Sequence, residues 1–174
     1  SEWSPIHYLK ALNLNKEAKI LDFGCGTGDS LLALQNMGYT NFYGVEIGLG
    51  RATIANRYFP DRILNGDEHK LSELVAKVGK FDLIYTNHVL EHIAEPKKII
   101  SQLNRALKPG GILAISVPAP GSETMLHSAL YYPHLHAYSA LSLKKCLETV
   151  DREAFHWVGS RHQLAVIGLK DKLF

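Results

Sequence analysis

The sequence predicts an α/β fold, a doubly wound and mostly parallel sheet with helices on both faces. Three observations carry this. Apolar strand-like runs alternate with helical patterns along the chain, one early run opens directly onto three glycines, and two late runs are close enough to pair as a hairpin.

The first strand is expected at about residues 19 to 23, followed by a crossover helix over 29 to 37 with Leu31, Leu32 and Leu34 on or near one face and Gly38 at its end. A second strand falls at 41 to 45. The helix at 49 to 58 is short, because Pro60 stops it before a third strand at 62 to 65. The fourth strand reads as 81 to 86. After it, Ile99, Ile100, Leu103, Ala106 and Leu107 recur at helical spacing, with Pro96 suited to a first turn. A Lys108 to Gly111 turn then leads into a fifth strand at 111 to 117, almost wholly apolar from Ile112 to Val117 as a central strand covered on both faces should be. Last, 155 to 158 and 164 to 169 form the hairpin, joined by five residues from Gly159 to Gln163.

Composition narrows the class. The 174 residues suit one domain over 1 to 174, and the 46% hydrophobic and 21% charged fractions are those of a globular protein. No apolar run approaches the roughly 20 residues of a membrane span. Two cysteines, Cys25 and Cys146, suggest neither a disulfide framework nor a zinc site, so a cytoplasmic setting is expected. A net charge of +2 with scattered Lys and Arg gives no argument for nucleic acid, so a nucleic-acid partner is not expected.

Residues 20 to 28 read ILDFGCGTG, and Glu46 ends the next strand. Glycines there let a ligand lie against main-chain amides, and an acidic side chain at that distance can take both hydroxyls of a ribose. A dinucleotide fingerprint needs G-x-G-x-x-G; Asp29 occupies its last position and the glycines fall at 24, 26 and 28, which disfavours an NAD-dependent oxidoreductase.

This segment resembles motif I of the class I S-adenosylmethionine (SAM) methyltransferases, with Phe23 as an apolar variant. Further matches come in the family's order. Asn65-Gly66-Asp67 lies after the third strand, residues 81 to 92 (FDLIYTNHVLEH) match the fourth strand and its turn, and residues 107 to 111 (LKPGG) precede the fifth. The resemblance covers about residues 18 to 170. It implies the seven-stranded sheet of that fold, closed by the C-terminal antiparallel hairpin, and SAM as cofactor. On it, Asp22, Gly24, Cys25, Gly26 and Gly28 form the loop against the cofactor, with Glu46 and Ile47 at the nucleoside. Asp67 and the Glu68 backbone amide meet the adenine, Asp82 is structural, and Asn87, His88 and Val89 line the methionine end.

A rival reading lies inside the same turn, since His88, Glu91 and His92 satisfy H-x-x-E-H. A zinc peptidase needs that motif well inside a helix, whereas a strand runs straight into His88. Some quinone-biosynthesis methyltransferases of similar sequence hold a divalent ion near this turn through Glu, Glu and His; His88 stands where the first Glu would fall, and no metal is expected here.

The stretch from Pro118 to Tyr138 is too long for an ordinary connection and carries His134 and His136, so it reads as a lid or binding loop, with Ser139 or Ser142 capping the helix after it. His92 and His136 are the candidate general bases, since a hydroxyl or protonated amine must lose a proton during methyl transfer. Residues 1 to 17 are expected to be a short lid helix or its remnant, with Trp3, Ile6, Tyr8, Leu9 and Leu12 as its apolar residues; family members commonly place one or two helices there. The expected function is SAM-dependent methyl transfer to a small molecule. The alternative is a module that binds SAM or its demethylated product without transfer, or that needs a partner to complete the acceptor site.

Overall fold

In the computed structural model, the described residues are 12–118 and 134–150, together with the backbone of 154–159 and 163–169. The order is β1 (Ile20–Phe23), α1 (Asp29–Asn36), β2 (Phe42–Glu46), α2 (Leu49–Tyr58), β3 (Ile63–Asn65), α3 (Glu68–Val78), β4 (Phe81–Asn87), a 3-10 turn (Leu90–His92), α4 (Pro96–Ala106), β5 (Leu107–Pro118), α5 (Ala140–Glu148), β6 (Ala154–Gly159) and β7 (Gln163–Leu169). Strand order across the sheet is β3-β2-β1-β4-β5-β7-β6. The pairs among β1 to β5 are parallel, whereas β7 runs antiparallel to both β5 and β6. The order reverses between β1 and β4, which leaves a crevice at their carboxyl ends where open sheets of this kind hold ligands.

Alternation along the strands divides the core in two. Ile20, Leu83 and Tyr85 face one side with Leu31 and Leu34 of α1 and Ala52 and Ala55 of α2. Leu21, Phe23 and Ile84 face the other, against Leu71 and Leu74 of α3, Ile99, Ile100 and Leu103 of α4, and Leu143 and Leu147 of α5. The sheet is therefore wound on both faces. Each fully buried Leu or Ile contributes roughly 1.5 to 3 kcal/mol of transfer free energy, and α4 alone buries Ile99, Ile100 and Leu103.

Three elements differ from expectation. Leu32 does not join the inner face of α1: it is 48% exposed, and Leu31 and Leu34 carry the packing. Residues 68 to 78, to which the sequence pattern assigned no element, form α3, with Asp67 accepting the His69 N–H as its N-cap. The Lys108 to Gly111 segment does not precede β5 but bulges within it, because Leu107 already pairs with Phe81 and the ladder resumes at Leu83 with Ile112. Asp82 anchors this corner. Its carboxylate accepts the Lys19 N–H at 2.8 Å and both its oxygens accept from Lys108 Nζ, tying β1, β4 and β5 together.

Most of the expected N-terminal lid, residues 1 to 11, and residues 119 to 133 of the expected loop lie outside the described residues. No helix among the described residues is long and apolar enough to cross a membrane.

Candidate active site

The crevice contains a cavity of about 420 Å³ lined by Phe23 and Gly24 after β1, Val45, Glu46, Ile47 and Arg51 around β2, Gly66 and Asp67 after β3, and His88, Val89, His92 and Ile93 after β4. Four successive strand ends thus converge on one space.

Glycine shapes the first wall. Gly24, Gly26 and Gly28 have φ of 89°, 57° and 94°, in the left-handed region that other residues enter at a cost. At Gly24 an added Cβ would overlap Val89 Cγ2, so this glycine lets the β4 turn close against the β1 turn. At Gly28 the Phe59 ring would lie 3.1 Å away, a packing need of α2 rather than of a ligand. Of these three, only Gly26 has nothing within 4 Å of that position.

Glu46 is the charged centre of the wall. It is 3% exposed, and its carboxylate accepts the Gly26 N–H on Oε2 at 2.9 Å and the Gly48 N–H on Oε1 at 2.7 Å. Arg51 Nη2 adds an ion pair to Oε1 at 2.9 Å. Asn65 Nδ2 donates to the Glu46 carbonyl at 2.8 Å and fixes the strand end.

The opposite segment is the turn after β4. His88 has φ 53°, an uncommon conformation for a side-chain-bearing residue, and its N–H is held by the Ser116 carbonyl at 3.0 Å. Its Nδ1 lies 3.2 Å from Oε1 of Glu91, which is 1% exposed. The same oxygen is 4.0 Å from His92 Nε2. The Glu91 carbonyl accepts the N–H groups of Leu135 at 2.8 Å and His136 at 3.1 Å, which draws the segment ahead of α5 onto this turn. The His134 ring then meets the His92 ring edge to face, with centroids 4.6 Å apart.

Ligand atoms of Glu91, His92 and His134 lie within 4.8 Å of one another, so a cation could be held there; the His88-Glu91-His92 set of the H-x-x-E-H reading is not the one gathered. The motif also sits in a strand end and a single 3-10 turn rather than in a long helix.

Of the expected cofactor residues, Gly24, Glu46, Ile47, Asp67, His88 and Val89 line the cavity, as does His92 of the expected bases. Asp22 turns instead into the core, where its carboxylate accepts from the Tyr85 hydroxyl. Cys25 is buried against Gly44, and burial pushes its thiol pKa well above the ordinary range. The remaining expected residues, Gly26, Gly28, Glu68, Asn87 and His136, are not among the lining residues. The side chain of Glu68 lies outside the described residues.

Sequence reading missed Arg51. A signal was present: a cation in the first turn of a helix faces the positive end of the helix dipole and needs a partner.

The chemistry of these groups fits an adenosine-containing cofactor. Gly26 leaves open space beside a main-chain N–H, Glu46 offers a buried carboxylate, exposed Ile47 supplies an apolar rim, and Asn87 Oδ1 is buried without a hydrogen-bond partner among the described residues.

The comparisons agree with this geometry. The profile of a methyltransferase-domain family matches residues 4–155. Trans-aconitate 2-methyltransferase of Deinococcus radiodurans is 32% identical over 105 residues, covering 59% of this chain and 38% of its own length. A ubiquinone biosynthesis O-methyltransferase of Pseudomonas aeruginosa is 28% identical over 127 residues, covering 67% and 54%. The chain thus spans about half the length, or less, of these curated relatives. A SAM-dependent methyltransferase structure from Archaeoglobus fulgidus superposes with a TM-score of 0.78 at 17% identity, covering 95% of this chain and 91% of that one. With the strand order, the glycine turn and buried Glu46 already in place, the family match over most of the chain settles its membership: the chain belongs to the methyltransferase-domain family, as a class I SAM-dependent methyltransferase domain.

Proposed function

We propose that this domain methylates an oxygen atom of a small molecule, with Glu46 holding the cofactor ribose and His92 facing the acceptor. The observation that carries it is the shared cavity: Glu46 and Asp67 from one pair of strand ends, and His88 and His92 from the turn after β4, line the same 420 Å³ space. Trans-aconitate and ubiquinone-pathway enzymes among the relatives fit a small oxygen nucleophile.

SAM, when bound, supplies a methyl group already activated on a sulfonium. What remains for the chain is alignment, exclusion of water and handling of one proton. Gly26, Glu46 and Asp67 bind and orient the nucleoside. His92 would accept the proton that an acceptor hydroxyl must lose during methyl transfer, and the imidazolium would then pass that proton to water. Buried Glu91, 4.0 Å from His92 Nε2, balances the charge that the proton brings. A carboxylate acceptor needs no base, and there the turn only positions.

Calorimetric titration tests the cofactor half. SAM and S-adenosylhomocysteine are expected to bind and NAD is not. Glu46→Ala should weaken S-adenosylhomocysteine about tenfold or more, since a charge-assisted hydrogen bond is worth about 1.5 to 3 kcal/mol. Incubation with methyl-labelled SAM and a panel of small hydroxy acids, carboxylic acids, amines and thiols tests the acceptor half; label appearing only on nitrogen, carbon or sulfur would refute oxygen as the acceptor.

A further inference from the structure

Glu46 has a crowded carboxylate. Each of its oxygens offers about two acceptor directions. On Oε1 both are taken, by the Gly48 N–H at 2.7 Å and Arg51 Nη2 at 2.9 Å. On Oε2 one is taken, by the Gly26 N–H at 2.9 Å. A ribose that engages this carboxylate through both neighbouring hydroxyls needs two free directions, and among the described residues' contacts one is open.

One of the three donors must therefore leave, and they are not equally movable. Gly26 sits in the turn held by the Gly24 and Cys25 N–H groups on the Val45 carbonyl. Gly48 precedes α2 and its carbonyl accepts the Ala52 N–H at 2.9 Å. Arg51 is different: its side chain is 61% exposed while that of Glu46 is 4% exposed. A guanidinium that swings off recovers its hydration, and a first-turn position gives it no helix-dipole stabilisation to lose.

We propose that Arg51 is a displaceable placeholder: it occupies the acceptor position on Glu46 that the second ribose hydroxyl requires, keeps the carboxylate oriented before the nucleoside arrives, and turns outward when the nucleoside binds. Arg51 is a positioning residue, and this role rests on the reading of Glu46 as the ribose acceptor.

The consequence is counterintuitive, because removing a residue that lines the site strengthens binding. Calorimetry with S-adenosylhomocysteine is the right measurement, as it lacks the sulfonium charge that would confound the loss of a cation. Arg51→Gln and Arg51→Ala are each expected to tighten it about two- to fivefold, the scale of a half-exposed ion pair. For one of the two analogues, 2′-deoxy or 3′-deoxy S-adenosylhomocysteine, this gain should disappear, because a single hydroxyl can use the direction already open. Raising salt from about 0.02 to 0.3 M should tighten binding to the unaltered protein and not to Arg51→Gln, since it screens the competing pair. Equal or weaker binding in both variants overturns the proposal, as does a gain of the same size for both deoxy analogues. Lack of binding by the unaltered protein, or unchanged affinity in Glu46→Gln, overturns the ribose reading itself and the placeholder with it. Tightening in Arg51→Gln together with weakening in Glu46→Gln supports both.

Discussion

The Tyr85 hydroxyl donates a 2.8 Å hydrogen bond to Asp22 Oδ2 in the buried layer beneath the glycine turn, where β1 and β4 bring the two residues into register. Asp22 is 2% exposed and Tyr85 fully buried. Burial pushes the Asp22 pKa from 3.8 up to about 7; the Tyr85 hydrogen bond opposes the shift and the nearby Glu46 charge adds to it. Burial likewise raises Tyr85, so the hydroxyl stays a donor.

This shift dictates a pH dependence of stability with a definite sign. Below about pH 4 the carboxyl is protonated in folded and unfolded chains alike and contributes no difference. From about 4 to 7 the unfolded chain ionises while the folded one resists, so the folded state loses stability as pH rises, and above about 7 the penalty is complete. Compared with Asp22→Asn, the unaltered protein should lose on the order of a few kcal/mol between pH 4 and 8. Urea denaturation of both across that range measures it, and a constant difference between them would show that Asp22 does not titrate in this window.

The glycines of the turn make separable contributions. Gly24→Ala drives a methyl into Val89 at a positive φ, so it should cost about 1 to 3 kcal/mol of stability and loosen the contact between the β1 and β4 turns. Gly26→Ala meets no atom within 4 Å and adopts a left-handed conformation at about 1 to 2 kcal/mol, but its methyl enters the open space at the turn whose N–H is held by Glu46 Oε2. Its loss of S-adenosylhomocysteine affinity should therefore exceed its loss of stability. Thermal denaturation paired with calorimetry separates the two; Gly26→Ala binding as tightly as the unaltered protein would remove that glycine from the site.

How much of the fold and site was legible in sequence depends on the range of the interactions. The glycine turn lies within nine consecutive residues, and Glu46 is one strand further on, so local spacing identified both. Ser139 was equally local: its side chain accepts the Ser142 N–H at 3.1 Å and the Ser142 hydroxyl accepts in return, a reciprocal cap before α5. Helix α3 escaped because Gly66-Asp67 looks like a surface turn and Leu71, Leu74, Val75 and Val78 are interleaved with Lys and Glu. The early start of β5 was hidden for another reason, as the pairing of Leu107 with Phe81 belongs to a partner strand 26 residues away in the chain. Arg51 was missed, and the burial of the Asp22 side chain against Tyr85 was not foreseen, because both depend on where a side chain points. A strand reading assigns alternate faces but not which face carries the ligand.

The two histidines offered as bases are now distinguished by position. His92 lines the cavity that holds Glu46, beside the buried Glu91 carboxylate. His136 donates its backbone N–H to the Glu91 carbonyl, its Nε2 is buried without a hydrogen-bond partner among the described residues, and it is not among the residues lining the cavity, so its expected role is to brace the turn. With a hydroxyl acceptor found by the labelling screen, His92→Ala should slow product formation about 10² to 10⁴-fold, the range of a lost general base, while S-adenosylhomocysteine affinity stays within a few fold. His136→Ala should retain most turnover and instead shift thermal stability. Steady-state rates and calorimetry on the two variants decide the matter. A large loss of turnover in His136→Ala, with His92→Ala unaffected, would move the base to the segment ahead of α5 and leave His92 as a wall of the pocket.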